Sequence, residues 1–152
     1  MCSSWNETKK INCRIRIDLK MKFLCLDLGV KHTGLATAGS TQIVEPIGTI
    51  HHRTTNELLD QLKKLIQENR PNIIVIGQPE KGIMRKIAMK VKEEIGGKFE
   101  TRIYFQDENL SSLEARRKMI ETGKSPAKRK EKEHTAAAAI ILQNFLEENP
   151  KL

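Results

Sequence analysis

Residues Met21–Ala38, MKFLCLDLGVKHTGLATA, constrain the fold more than any other stretch of the chain. The unbroken apolar run Phe23-Leu24-Cys25-Leu26 reads as a short strand buried on both faces. Asp27 ends it. Gly29 then permits backbone angles closed to other residues, and Gly34-Leu35-Ala36-Thr37-Ala38 resumes as a second strand. The expected result is a hairpin with a carboxylate at the mouth of a sheet. A charge at the end of a buried strand needs something to satisfy it. A metal ion, a helix N-terminus or an arginine would serve, and so would the turn's own backbone if Asp27 only caps it. The spacing alone leaves these readings open.

The remaining chain supplies the other layers. Thr41–Ile50 is a third extended segment, and Pro46 marks it as an edge strand or the site of a bulge. Thr54 or Thr55 is placed to cap a helix over Asn56–Asn69, where Leu58, Leu59, Leu62, Leu65 and Ile66 form one apolar stripe. Pro71 closes that helix. Asn72–Gly77, NIIVIG, is the most hydrophobic run and reads as a central parallel strand covered on both faces. After the loop Gln78–Gly82, a helix is expected over Ile83–Ile95, with Ile87, Val91 and Ile95 inward and Gly96-Gly97 at its end. Thr101–Gln106 is another strand, followed by Asp107-Glu108. Ser111 or Ser112 caps a helix to about Ile120. Gly123–Lys132 reads as a basic loop. A last helix is expected from about Glu133 to Glu148, with Ala137, Ala138, Ile141, Leu142 and Phe145 on one face. Its four consecutive alanines permit close approach to a sheet.

This order predicts an α/β fold: an antiparallel meander, then β-α units, in a five-stranded mixed sheet flanked by helices. Right-handed crossovers put the C-terminal ends of parallel strands on one edge. Asp27, the loop after Gly77 and Asp107-Glu108 therefore gather there. Glu133-His134, in the first turn of the last helix, joins them if that helix packs across the edge.

A chain of 152 residues suits one domain that buries roughly 70 % of its unfolded surface. That domain is expected over 21–148, with 149–152 as a tail. The first twenty residues are polar and basic, have no apolar core of a signal peptide, and read as an arm, either flexible or arising from the choice of start codon. No apolar run approaches the eighteen or so residues of a membrane span. Cys2, Cys13 and Cys25 lack metal-ligand spacing, which fits free thiols in a reducing cytoplasm. The net charge of +8 points to polyanions, nucleic acid before anionic membrane.

Carboxylates gathered at one sheet edge repel one another unless a cation lies between them. Oxygen ligands favour hard cations, here Mg²⁺ or Mn²⁺. Such ions, shared with phosphate oxygens, are the usual means of phosphodiester cleavage. Lys81, Arg85 and Lys86 on one side, and Arg116, Arg117, Lys128, Arg129 and Lys130 on the other, could hold a phosphate backbone at that edge. An acidic centre with a basic rim fits a nuclease. The plain alternative is that Asp107 and Glu108 cap the following helix and that the cations are solvated faces.

Four ordered motifs then resemble one family. Asp27-Leu28-Gly29-Val30-Lys31-His32-Thr33-Gly34-Leu35-Ala36 is similar to its D-x-G-x-K-R-x-G-x-A, and Val75-Ile76-Gly77-Gln78-Pro79 to its V-V-G-L-P. Asp107-Glu108-Asn109-Leu110-Ser111-Ser112 resembles D-E-R-L-T-T, and Ala137-Ala138-Ala139-Ile140-Ile141-Leu142-Gln143 resembles A-A-x-x-I-L-Q. This is the YqgF family of Holliday-junction-resolvase-like proteins and pre-16S ribosomal RNA nucleases. The resemblance covers about Met21 to Glu148. It implies an RNase H-like fold, a cytoplasmic protein, Mg²⁺ or Mn²⁺ as cofactor, and trimming of the 5′ end of the 16S rRNA precursor. It implies Asp27 and Glu108 as the first and second catalytic, metal-binding acids, with Asp107 and Lys31 in support. At the third acid's position the chain carries His134, preceded by Glu133. Neutral imidazole can ligate Mn²⁺ or act as a base, but is a poorer Mg²⁺ ligand than a carboxylate. Asn109 replaces the arginine of D-E-R-L, and Gln78 the leucine of G-L-P.

Three other functions compete with an RNA nuclease. A resolvase of four-way DNA junctions would use the same acids. A nucleic-acid-binding protein without catalysis would account for His134 and Asn109. D-L-G-x-K-x-x-G also resembles the phosphate hairpin of actin-like and sugar-kinase-like ATPases, but the chain is short for two such lobes and shows no second glycine-rich loop.

Overall fold

A computed structural model of the protein describes residues 21–79, 82–107 and 126–152, the last segment as backbone only over 126–131. Five strands form one sheet in the order β3-β2-β1-β4-β5. They are β1 (Phe23–Asp27), β2 (His32–Ala38), β3 (Val44–His51), β4 (Ile73–Gln78) and β5 (Arg102–Asp107). Among the described residues the helices are α1 (Thr55–Asn69), α2 (Ile83–Gly96) and α3 (Pro126–Glu148). The meander pairs antiparallel, Phe23 opposite Ala38 and Asp27 opposite Gly34, while β1, β4 and β5 are parallel. Both expectations for Pro46 hold. It sits on the outermost strand, and the register with β2 slips between Leu35 and Ala36.

Alternation along the strands sorts the core into two layers. Leu24, Leu26, Ile74 and Ile76 face α1 and α2 and pack with Leu58, Leu62, Ile66, Val91 and Ile95. Phe23, Cys25, Ile73 and Val75 face α3 and pack with Ala138, Ile141, Leu142 and Phe145. A strand buried on both sides has no room for the usual polar alternation, so β1 and β4 read as continuous apolar runs. Helix α1 starts where expected: Thr54 Oγ1 accepts from Glu57 N at 3.2 Å, and the Glu57 carboxylate accepts from Arg53 N at 2.8 Å. It ends with Arg70 in the left-handed region, φ 48°, just before Pro71.

The last helix departs from the expectation. It begins at Pro126, so 126–132 are helical and not a loop, and Glu133-His134 lie two turns inside it. The segment has no apolar stripe to announce a helix. Yet proline suits a first helical position, and the lysine, arginine and glutamate after it are good helix formers. The helix expected over 111–120 lies outside the described residues.

Candidate active site

Asp27 closes β1 with its residue only 7 % exposed. Strands on either side and α3 above leave its carboxylate little water, so it requires a partner. His134 supplies one: its Nδ1 donates to Asp27 Oδ2 at 2.9 Å. The aim of that imidazole is set by helical phase. Ala138, Ile141, Leu142 and Phe145 turn one face of α3 into the core, and His134 continues the stripe one turn earlier.

Two glycines make the approach possible. A Cβ on Gly34 of β2 would overlap the main-chain carbonyl of His134, so the helix backbone rests directly on the strand. A Cβ on Gly29 would stand 2.8 Å from His134 Cε1 and 2.9 Å from Nε2, so the imidazole occupies the space a side chain there would take. The bond through Nδ1 fixes the ring's tautomer and leaves Nε2 beside the β1–β2 turn.

The other three histidines of the chain stand nearby. His32 and His51 are opposite each other in the β2–β3 register, with their Nδ1 atoms 2.9 Å apart, one donating and one accepting. The His32 ring lies 6.3 Å from that of His134. His52 is buried, and its Nε2 shares a 3.0 Å hydrogen bond with Thr33 Oγ1. Its Nδ1 is buried without a partner among the described residues. Burial pushes the His52 imidazole below the usual histidine range; His32 pushes the same way and Glu57 opposes. Its main-chain N–H donates to Lys31 O at 3.0 Å, tying the β1–β2 turn to the end of β3.

Sequence reasoning singled out Asp27 and His134, and the fold brings them together. It did not single out His51 or the Thr49–Thr135 hydroxyl pair, 2.8 Å apart. Cross-strand pairing of His32 with His51 depends on hairpin register, which the Pro46 irregularity shifts. Asp107 ends β5 on the same sheet edge as Asp27, but shares the parity of Ile103 and Phe105, which pack on the α1–α2 side. Gln106 takes the α3 side instead, donating to Glu148 at 3.1 Å. Glu133 is half-buried on α3, and Lys31 is exposed in the turn. Arg85 and Lys86 are exposed in the first turn of α2, which follows the same edge. Lys128, Arg129 and Lys130 fall in the first turns of α3. Glu108, Lys81, Arg116 and Arg117 lie outside the described residues.

Residues 21–148 match the family described as RuvX, Holliday junction resolvase. The chain belongs to the RuvX family. A relative from Dechloromonas aromatica (strain RCB), provisionally named a pre-16S rRNA nuclease, is 32 % identical over 131 residues, 82 % of this chain and 89 % of that protein. A second from Chlamydia felis (strain Fe/C-56), with the same provisional name, is 34 % identical over 142 residues, 88 % and 95 % of the two chains. Among solved structures, RuvC of T. thermophilus in complex with a Holliday junction substrate aligns with TM-score 0.54 at 16 % identity, over 84 % of this chain and 95 % of that one. The Fowlpox virus resolvase with its junction DNA aligns with TM-score 0.58 at 13 % identity, over 84 % and 98 %. At those identities the likeness concerns fold alone, and it is the RNase H-like, resolvase-type architecture. RuvX membership and the relatives' names agree on one enzyme class, a phosphodiester hydrolase. Among the described residues, no helix is long and apolar enough to cross a membrane.

Family chemistry of this kind calls for a divalent cation. The donor chemistry at the end of β1 suits one: a carboxylate there accepts from an imidazole whose other nitrogen can also ligate. Among the described residues, no third histidine, cysteine or acid stands close enough to complete a set of three.

Proposed function

We propose that this RuvX protein is a nuclease dependent on Mg²⁺ or Mn²⁺ that trims the 5′ end of the 16S rRNA precursor in the cytoplasm. The observation that carries the reading is the buried Asp27 carboxylate, held by His134 at the C-terminal end of β1 in a chain about one-third identical to relatives of that name. Asp27, Glu108 and His134 would hold the cation, with Lys31 in support from the β1–β2 turn and Asp107 and Glu133 acting only from outside the ligand set. When bound, the cation supplies charge neutralisation at the scissile phosphate and a water of lowered pKa. Asp27 holds one face of the site and, through Oδ2, keeps His134 in the tautomer whose Nε2 can accept a proton or a ligand bond. Gly34 and Gly29 keep that imidazole against the turn. Lys31, Arg85 and Lys86, with Lys81, Arg116, Arg117, Lys128, Arg129 and Lys130, would bind phosphates on either side and set the register of the strand.

Cleavage of a precursor 16S RNA by the purified protein, with Mg²⁺ or Mn²⁺ and with chelator, tests the reading. Metal-dependent cleavage that falls at least about 100-fold in Asp27→Asn supports it. Undiminished cleavage by that variant overturns it. The family description and the resolvase-type fold favour a second reading, cleavage of four-way DNA junctions. The same assay with a junction in place of the RNA decides between them.

A further inference from the structure

A groove of about 710 Å³ runs between the edge strand β3 and helix α3, and Thr135, the chain neighbour of His134, lines it. Clefts of about 300–1,000 Å³ are the size that holds small ligands. Its floor is apolar: Ala136, Ala139 and Ile140, spaced to share one face of α3, stand across from Pro46. The end toward His134 is polar. There Thr135 donates to Gly48 O at 3.1 Å and shares the 2.8 Å contact with Thr49. His51 lines the groove and touches His32, which stands between it and His134. Holding a cation and a phosphate at Asp27 makes no use of this space.

We propose that the groove receives one unpaired nucleotide of the RNA, adjacent to the scissile phosphate. The inference rests on the nuclease reading above and narrows its substrate class to structured RNA with unpaired residues at the cut. Three features favour a nucleotide as occupant. Thr135, which lines the groove, is the chain neighbour of His134, so a strand with its phosphate at Asp27 would bring the neighbouring nucleotide toward β3. Exposed Lys132 borders it, and among the described residues no acidic side chain lines it, which suits a phosphodiester. An imidazole above an apolar floor suits the face of a base, and unpaired bases are the form in which RNA offers such faces. A base within a continuous duplex is stacked on both sides and cannot enter.

The test uses full-length Asp27→Asn protein, so that RNA is bound and not consumed. Two hairpin RNAs are compared by fluorescence anisotropy, identical except that one carries a short unpaired tail at the cut position and the other is fully paired there. The tailed RNA is expected to bind about tenfold tighter or more, the scale of one stacked base. Adding Gln143→Glu at the exposed rim, or Ile140→Glu in the floor, is expected to bring the two RNAs to parity, with circular dichroism and melting confirming the fold. Equal binding of both RNAs by the Asp27→Asn protein overturns the proposal, as does a tail preference that survives Ile140→Glu in a folded protein. So does a change in oligomeric state on Ile140→Glu with RNA preference intact, which would make the groove a protein interface. Absence of metal-dependent cleavage by the unmodified protein is a separate result, and it refutes the nuclease reading without touching tail-selective binding.

Discussion

Gly34→Ala is the most demanding perturbation the fold offers. The added Cβ would land on the main-chain carbonyl of His134, and no side-chain rotation can clear a backbone atom. Either α3 lifts away from β2 by about an ångström or the hairpin distorts. Overpacking of this kind costs about 1–3 kcal/mol, and a backbone obstacle puts it at the upper end. For a chain of this length each kcal/mol moves the melting temperature by about 2–4 °C, so a fall of about 6–12 °C is expected. The same displacement moves His134 relative to Asp27, and an ångström of misplacement at a catalytic centre costs about 100-fold in rate. Gly39→Ala is the matched control. There a Cβ would come no closer than 3.9 Å to any atom, Met21 O, and stability is expected to stay within about 0.5 kcal/mol of wild type. Differential scanning calorimetry on both variants, followed by RNA cleavage, reads out both effects. If Gly34→Ala melts within about 2 °C of the unmodified protein, the helix does not rest on the β2 backbone and the geometry assigned to the site is wrong.

Further outcomes follow from individual contacts. Thr33→Val keeps shape but removes the hydroxyl from buried His52 Nε2, and should destabilise by about 1–3 kcal/mol in chemical denaturation. His52 titrates below its unfolded value, so the unfolded chain binds the extra proton first. Its contribution is therefore complete above about pH 6.5 and is lost as pH falls below that value, and melting curves of His52→Gln should show a shallower acid loss than the unmodified protein. His134→Asp replaces imidazole with carboxylate at the position where the sequence resemblance implies a third acid. It should shift cleavage from Mn²⁺ toward Mg²⁺, with a ratio of the two rates unchanged from wild type counting against His134 as a metal-facing group. RNA affinity should fall steeply with salt, and Lys132→Ala should lower the slope of log K against log salt by about one, as measured by titration at several ionic strengths.

The sheet was legible because its strands carry two different signals. The doubly buried β1 and β4 read as unbroken apolar runs, and Pro46 marked its segment as an edge strand or the site of a bulge. The start of α3 was not legible from periodicity. The sequence of its first two turns carries no apolar stripe, so the only cues were Pro126 at a first helical position and the absence of any breaker before His134. Propensity, weak in a window that short, carried information that the apolar pattern lacked. The histidine group was hidden for another reason. Which residues of β2 and β3 face each other depends on turn length and on the slip beside Pro46, and a shift of one residue would put His51 on the other side of the sheet from where it is.

The choice between Glu133 and His134 as the partner of Asp27 shows how far core packing alone can decide chemistry. Neighbouring positions on a helix diverge by about 100°, so only one of the two can face a given point on the sheet. The apolar residues that must be buried, Ala138, Ile141, Leu142 and Phe145, fix the rotation of α3, and His134 lies on the continuation of their stripe. Gly34 and Gly29 then accept that backbone and that ring, and would exclude a helix rotated to aim Glu133 inward unless the whole stripe left the core. Losing four fully buried apolar side chains would cost about 5–10 kcal/mol, comparable to the whole stability of a domain this size. The imidazole at Asp27 is therefore a consequence of the core. Converting the site to an all-carboxylate one would require a substitution at 134 itself, and no substitution at Glu133 should alter the metal preference.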